Sequence, residues 1–131
     1  MDRTLSLGPA LATPTITVAG TTPTAQLALA MDVQPEYDNY LLVNYNQSGP
    51  GRSVTIGATG AWLSGAAAWD LTIPDFSTVA GFQTTWGLQA GTTTDWIASA
   101  SGWSAGGGLF TTPFVEGAAF QSATSGGMIV P

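Results

Sequence analysis

The sequence predicts an all-β protein, an antiparallel sandwich of about seven strands. Three observations carry this. Helical periodicity is almost missing. Thr, Gly and β-branched residues, which suit strands and turns, run through the whole chain. Short segments alternating apolar with polar residues recur, and turn residues close each of them.

The elements follow in order. "TITVAG" alternates Ile16 and Val18 with Thr. "QLALAMDV" puts Leu27, Leu29, Met31 and Val33 on one face at period two. "QPEYDN" turns the chain into "YLLVNYNQ", which lines up Leu41, Val43 and Tyr45. "SGPG" is a turn, because Gly accepts positive φ and Pro fixes its own. "RSVTIGAT" follows with Val54 and Ile56. A Gly/Ala-rich passage, "GAWLSGAAA", leads to "WDLTI", with Trp69, Leu71 and Ile73 on one side. The predicted sixth strand is "GFQTTWGLQ", with Phe82, Trp86 and Leu88 facing inward. After "AGTTT" comes the predicted seventh, "DWIASASGW". Each strand has one buried and one solvated face, so two such sheets close on a single core.

Between the fifth and sixth of these segments lies "IPDFSTVAG". Pro74 has no N–H to give a ladder, so it ends a strand or sits at an edge. Asp75 can accept backbone hydrogen bonds in the turn. Phe76 and Val79 are expected to plug the end of the core, and Gly81 to let the chain enter the other sheet. On "YLLVNYN" and on "LTIPDFSTVAGFQTTWGLQA", the chain resembles the fibronectin type III and immunoglobulin-like family, over about Pro14 to Trp103. The first looks like that family's third strand, the second like the corner between its fifth and sixth. Phe82 stands where the family usually has a Tyr. The resemblance implies an immunoglobulin-like, fibronectin type III-like sandwich.

Composition narrows the function. The chain has 131 residues, eight acids, two Arg and no Lys or His. A phosphate backbone needs cations to neutralise it, so a nucleic-acid partner is excluded; anionic lipid surfaces are disfavoured for the same reason. No run of roughly 18 apolar residues exists to cross a membrane as a helix. A surface of Thr, Ser, Gln and Gly suggests an extracytoplasmic location: periplasmic, cell-surface or secreted. "MDRTLSLGPALATP" lacks a basic start followed by a long apolar block, so it does not read as an intact signal peptide. A mature fragment is expected, with a virion component as the alternative.

Chemistry is scarce. Without His or Cys there is no Ser-His-Asp or Cys-His arrangement, and the usual zinc, copper and haem ligands are missing. No catalytic residue, metal or cofactor is expected. Asp70, Asp75 and Glu116 are carboxylates, but their spacing selects no pair for glycoside hydrolysis. Asp32, Glu36 and Asp38 in "MDVQPEYDN" could offer calcium hard oxygens, though a solvated loop explains them as well. Five Trp raise a polysaccharide partner. Trp69 and Trp86 are expected in the core, leaving Trp62, Trp96 and Trp103 as candidate sugar-stacking residues.

The ends complete the reading. Residues 1–13 are expected as an N-terminal arm, 14–103 as the sandwich and 104–131 as a Gly-rich apolar C-terminal arm. Leu5 and Leu7 in front, and Phe110, Phe114 and Phe120 behind, are the candidate partner-binding residues. A large apolar side chain is worth roughly 1.5–3 kcal/mol when buried, so such arms either wrap back or dock on another protein subunit. The expected function is a non-enzymatic structural or interaction module, an accessory subunit or surface component. A carbohydrate-binding module or a capsid-decorating protein are the alternatives.

Overall fold

The structure is a computed structural model that describes residues 8–103 and 118–131. Among these residues seven strands form two antiparallel sheets. They are β1 (Thr15–Gly20), β2 (Gln26–Asp32), β3 (Tyr40–Gln47), β4 (Arg52–Thr59), β5 (Ala68–Thr72), β6 (Thr94–Trp103) and β7 (Phe120–Ile129). One sheet has the order β1-β2-β5, the other β4-β3-β6-β7. A single helical turn, α1 (Gly60–Leu63), joins β4 to β5. Since β4 and β5 lie at the edges of different sheets, this short connection carries the chain from one sheet to the other.

Period two places the core. β2 buries Leu27, Leu29 and Met31, β3 buries Leu41, Val43 and Tyr45, and β5 buries Trp69 and Leu71. Ile73 just beyond β5 is buried too, and its N–H donates to Leu27 O at 2.9 Å as the ladder ends. Pro74 then stops the strand, as a residue without an N–H must. Asp75 accepts the Ser77 backbone N–H at 2.8 Å, and Gly81 takes a φ of +85° that only glycine adopts without strain.

Two expectations are corrected. The segment "GFQTTWGLQ" is not a strand: a 3-10 turn occupies Thr84–Trp86. Its carbonyls find a cation instead of a ladder, since the Arg52 guanidinium donates to Thr84 O at 3.3 Å and Gly87 O at 3.1 Å. Only Gly87 and Leu88 are buried there, Leu88 bridged to Ala25, while Trp86 is 61% exposed. Phe76 and Val79 are also exposed and do not plug the core. Phe76 packs instead on Phe82, whose ring meets that of Trp86 edge to face at 6.1 Å.

The second correction concerns the C-terminal arm. The sandwich does not end at Trp103, because β7 pairs with β6 from Trp103↔Phe120 to Thr94↔Ile129. Residues 120–129 are therefore the outer strand of the four-stranded sheet. Packing explains why their pattern was silent. A Cβ at Gly127 would come within 2.9 Å of the Trp96 ring, so the indole lies where a side chain of β7 would otherwise stand.

Of the two outcomes open to the N-terminal arm, wrapping back or docking, its described part takes the first and lies on the sandwich. Leu11 is buried. Gln34 Oε1 accepts Ala12 N–H at 2.6 Å, its Nε2 donates to Ala10 O at 3.1 Å, and the Tyr37 hydroxyl donates to Pro9 O. The turn that carries Tyr37, Pro35–Tyr37, sits tight against β6. A Cβ at Gly102 would fall 2.2 Å from Glu36 O.

Candidate functional site

A groove runs between the edges of β4 and β5. One end is a depression of about 450 Å³ lined by Tyr40, Ile56, Ala58, Trp62, Leu71 and Pro74, with Asp70 at its side. The other end, about 330 Å³, is lined by Val54, Ile73, Phe76, Phe82 and Trp86 and shares Pro74 with the first. β4 supplies Val54 and Ile56, which stay half-buried because no strand among the described residues covers this edge. β5 supplies the outer sides of Leu71 and Ile73. Trp62, on α1 and 72% exposed, marks one end, and Trp86 marks the other.

The ladder phase fixes what the edges offer. Along β4 the pairing with β3 continues one step past Tyr40↔Thr59, where Gly60 N–H donates to Asn39 O at 2.7 Å. Antiparallel pairs alternate between bonded and non-bonded, so Ala58, Ile56 and Val54 face β3. The N–H and C=O groups of Ser53, Thr55, Gly57 and Thr59 then point to the open edge. The same count from Ile73 N–H→Leu27 O turns Ala68, Asp70 and Thr72 of β5 outward. Two rows of unpaired backbone groups thus border an apolar floor.

Charge around the groove is divided, with acids along β5 and after Pro74 and Arg52 at the other end. Asp70 is exposed on β5. Asp75 follows Pro74, and hydrogen bonds from the Ser77 backbone N–H and then its hydroxyl hold its carboxyl below the usual carboxylate range. Arg52, the one Lys or Arg among the described residues, is spent on the Thr84 and Gly87 carbonyls.

The residues nominated from sequence are scattered. Leu5, Leu7, Phe110, Phe114 and Glu116 lie outside the described residues. Phe120 belongs to β7, where its ring stacks on Trp103 at 4.8 Å and a 52° tilt. Trp103 is half-buried at the end of β6. Trp96, a candidate sugar-stacking residue, is only 8% exposed and belongs to the core; this corrects that assignment. Trp62 alone of the three stands free, so the three do not make a row. Asp32, Glu36 and Asp38 do not converge: among the described residues, no three His, Cys, Asp or Glu side chains gather to hold a metal.

Sequence reasoning missed two features. One is Gln47, fully buried at the end of β3. Its Nε2 donates to Gln89 O at 2.8 Å and Thr94 Oγ1 at 2.9 Å, and its Oε1 accepts Gln89 N–H at 2.8 Å. This polar clamp fixes the turn before β6. The clue was its register, because Gln47 shares the inward face with Leu41, Val43 and Tyr45. The other is the groove, whose apolar residues carry the same alternation as the core.

Fold and groove together define a class: an all-β, two-sheet protein with an open, aromatic-ended edge. Compared with family models, with curated proteins and with solved structures, the chain gave no match in any of the three.

Proposed function

We propose that this chain is a non-enzymatic interaction module, an immunoglobulin-like sandwich of the fibronectin type III kind that works outside the cytoplasm as an accessory or surface component. The strand order supports the fold reading. In immunoglobulin letters β1, β2 and β5 are A, B and E, while β4, β3, β6 and β7 are C′, C, F and G. The fourth strand joins the C-F-G sheet, and no D strand follows among the described residues. The surface rich in Thr, Ser, Gln and Gly supports the location.

The groove carries the functional reading. An unguarded apolar seam next to unpaired backbone groups costs free energy unless a partner uses it. It also moves the expected contact from the chain's arms to the sheet edge. The test is site-directed photo-crosslinking. Benzoylphenylalanine in place of Trp62 or Trp86 is expected to give adducts with a native partner. The same group in place of Val18, exposed on the opposite edge strand β1, is expected to give none. Equal adducts at all three positions, or none at any, would overturn the reading.

A further inference from the structure

We infer that the partner is an extended, cationic polypeptide segment that adds as a strand to the free edge of β4. This rests on the interaction-module reading and names the occupant of the same groove. Three observations select it.

The first is directional. Ser53, Thr55, Gly57 and Thr59 present donors and acceptors alternately at the spacing of a strand, and only another backbone in extended form satisfies such a row. A sugar would need side-chain hydroxyl and amide partners, whereas the groove floor is Val54, Ile56, Leu71 and Ile73.

The second is the pattern of burial. Trp69 and Leu71 of β5 and Ile73 just beyond it are already covered, but Val54 and Ile56 of β4 are only half-buried. A strand beside β4 with apolar residues at alternate positions extends the inner face of that sheet and covers these two side chains. The seven residues from Ser53 to Thr59 set the length of segment that fits.

The third is charge. Asp70 lines the groove at the Trp62 end and Asp75 follows Pro74, while Arg52 lies at the other end beside Ser53 and Gly87; the chain as a whole carries −6. A Lys or Arg beside the apolar run complements Asp70. A second copy of this chain does not: it brings the same acids, no Lys, and an Arg52 already engaged.

The probe is the peptide acetyl-KTVTVTVTK-amide, titrated into the ¹⁵N-labelled full chain. The amides of Ser53, Thr55, Gly57 and Thr59 are expected to shift and to gain protection from hydrogen exchange. The same peptide N-methylated on its seven central residues keeps its apolar surface but loses its donors, and is expected not to bind. A Glu-flanked version is expected to bind about five-fold more weakly, the scale of one exposed charge pair. In the Asp70→Lys variant that preference reverses; Asp70 is solvent-exposed, so the fold is left intact.

Equal binding of the N-methylated peptide, shifts confined to other strands, or no preference between Lys and Glu flanks would overturn the inference. So would cellohexaose or xylohexaose shifting the Trp62 and Trp86 indoles while the peptides leave β4 unmoved. That last result would leave the interaction-module reading standing, because it changes the class of partner and not the site. Photo-crosslinks at positions 62 and 86 without any peptide binding would separate the two claims in the same way.

Discussion

Tyr45 offers a sharp test of the core. Its side chain is fully buried on β3, between Val54 and Trp96 in the ladder, and its hydroxyl has no hydrogen-bond partner among the described residues. A buried hydroxyl left unpaired costs about 1–3 kcal/mol relative to its state in water. Tyr45→Phe removes that group and keeps the ring. The variant is expected to be more stable at neutral pH by about 1 kcal/mol, a rise of a few degrees in Tm for a domain of this size.

Alkaline pH enlarges the difference. Burial pushes the Tyr45 hydroxyl up from 10.0 to about 12. The folded state therefore holds this proton more tightly than the unfolded chain does. The associated stability is fully present below pH 10 and is lost as pH rises from 10 towards 12. A two-unit difference corresponds to about 2–3 kcal/mol. Urea melts of both proteins at pH 7, 10 and 11.5 should show the wild-type midpoint falling faster than that of Tyr45→Phe. A variant that is less stable at pH 7, or two profiles that run parallel into alkali, would mean the hydroxyl is paired and the reasoning wrong.

Other predictions follow from the packing. A chain ending at Trp103 lacks β7 and uncovers Trp96, so it should lose its cooperative urea transition rather than melt as a trimmed sandwich; tryptophan emission reports this. Trp96→Ala is expected to cost about 3–5 kcal/mol, whereas Trp62→Ala, on the groove rim, should stay within about 0.5 kcal/mol. Paired denaturant melts compare them directly. Gly102→Val places side-chain atoms on the Glu36 carbonyl, 2.2 Å from the Cβ position, and should lower Tm sharply or prevent folding. Circular dichroism melts detect either outcome.

Much of the fold was legible because alternation is a direct record of burial. "TITVAG", "YLLVNYNQ" and "RSVTIGAT" coincide with β1, β3 and β4 residue for residue. The failures have a shared cause. Alternation at Phe82, Trp86 and Leu88 looked inward, but Arg52, thirty residues earlier in the chain, draws off the carbonyls of that segment. β7 shows the reverse: among its inward positions Gln121 and Ser125 are polar, and at Gly127 the Trp96 ring of the neighbouring strand takes the space of a side chain. The alternation of β7 is therefore too broken to read as a strand. The candidate site was hidden for another reason. Val54 and Ile56 read as core from their own strand, and only the placement of β4 and β5 at two sheet edges exposes them.

That placement also distinguishes β4 from the other edges. Edge strands are usually blunted by irregularity, Pro, charge or shortness. β1 shifts register between Val18 and Gly20. β5 has five residues, carries Asp70, and is followed within two residues by Pro74. β7 runs through Gly126 and Gly127, which weaken its grip on any further strand. β4 keeps eight residues in unbroken register with β3, and its outward row is Ser53, Thr55, Gly57 and Thr59, with neither charge nor Pro. Among the described residues, β1 is irregular and β5 is short and closed by Pro74, whereas β4, despite Gly57, is long and regular with no charge along its outward row. Since the unguarded edge also borders the apolar floor and the exposed Trp62 and Trp86, strand addition at β4 accounts for all of these features at once.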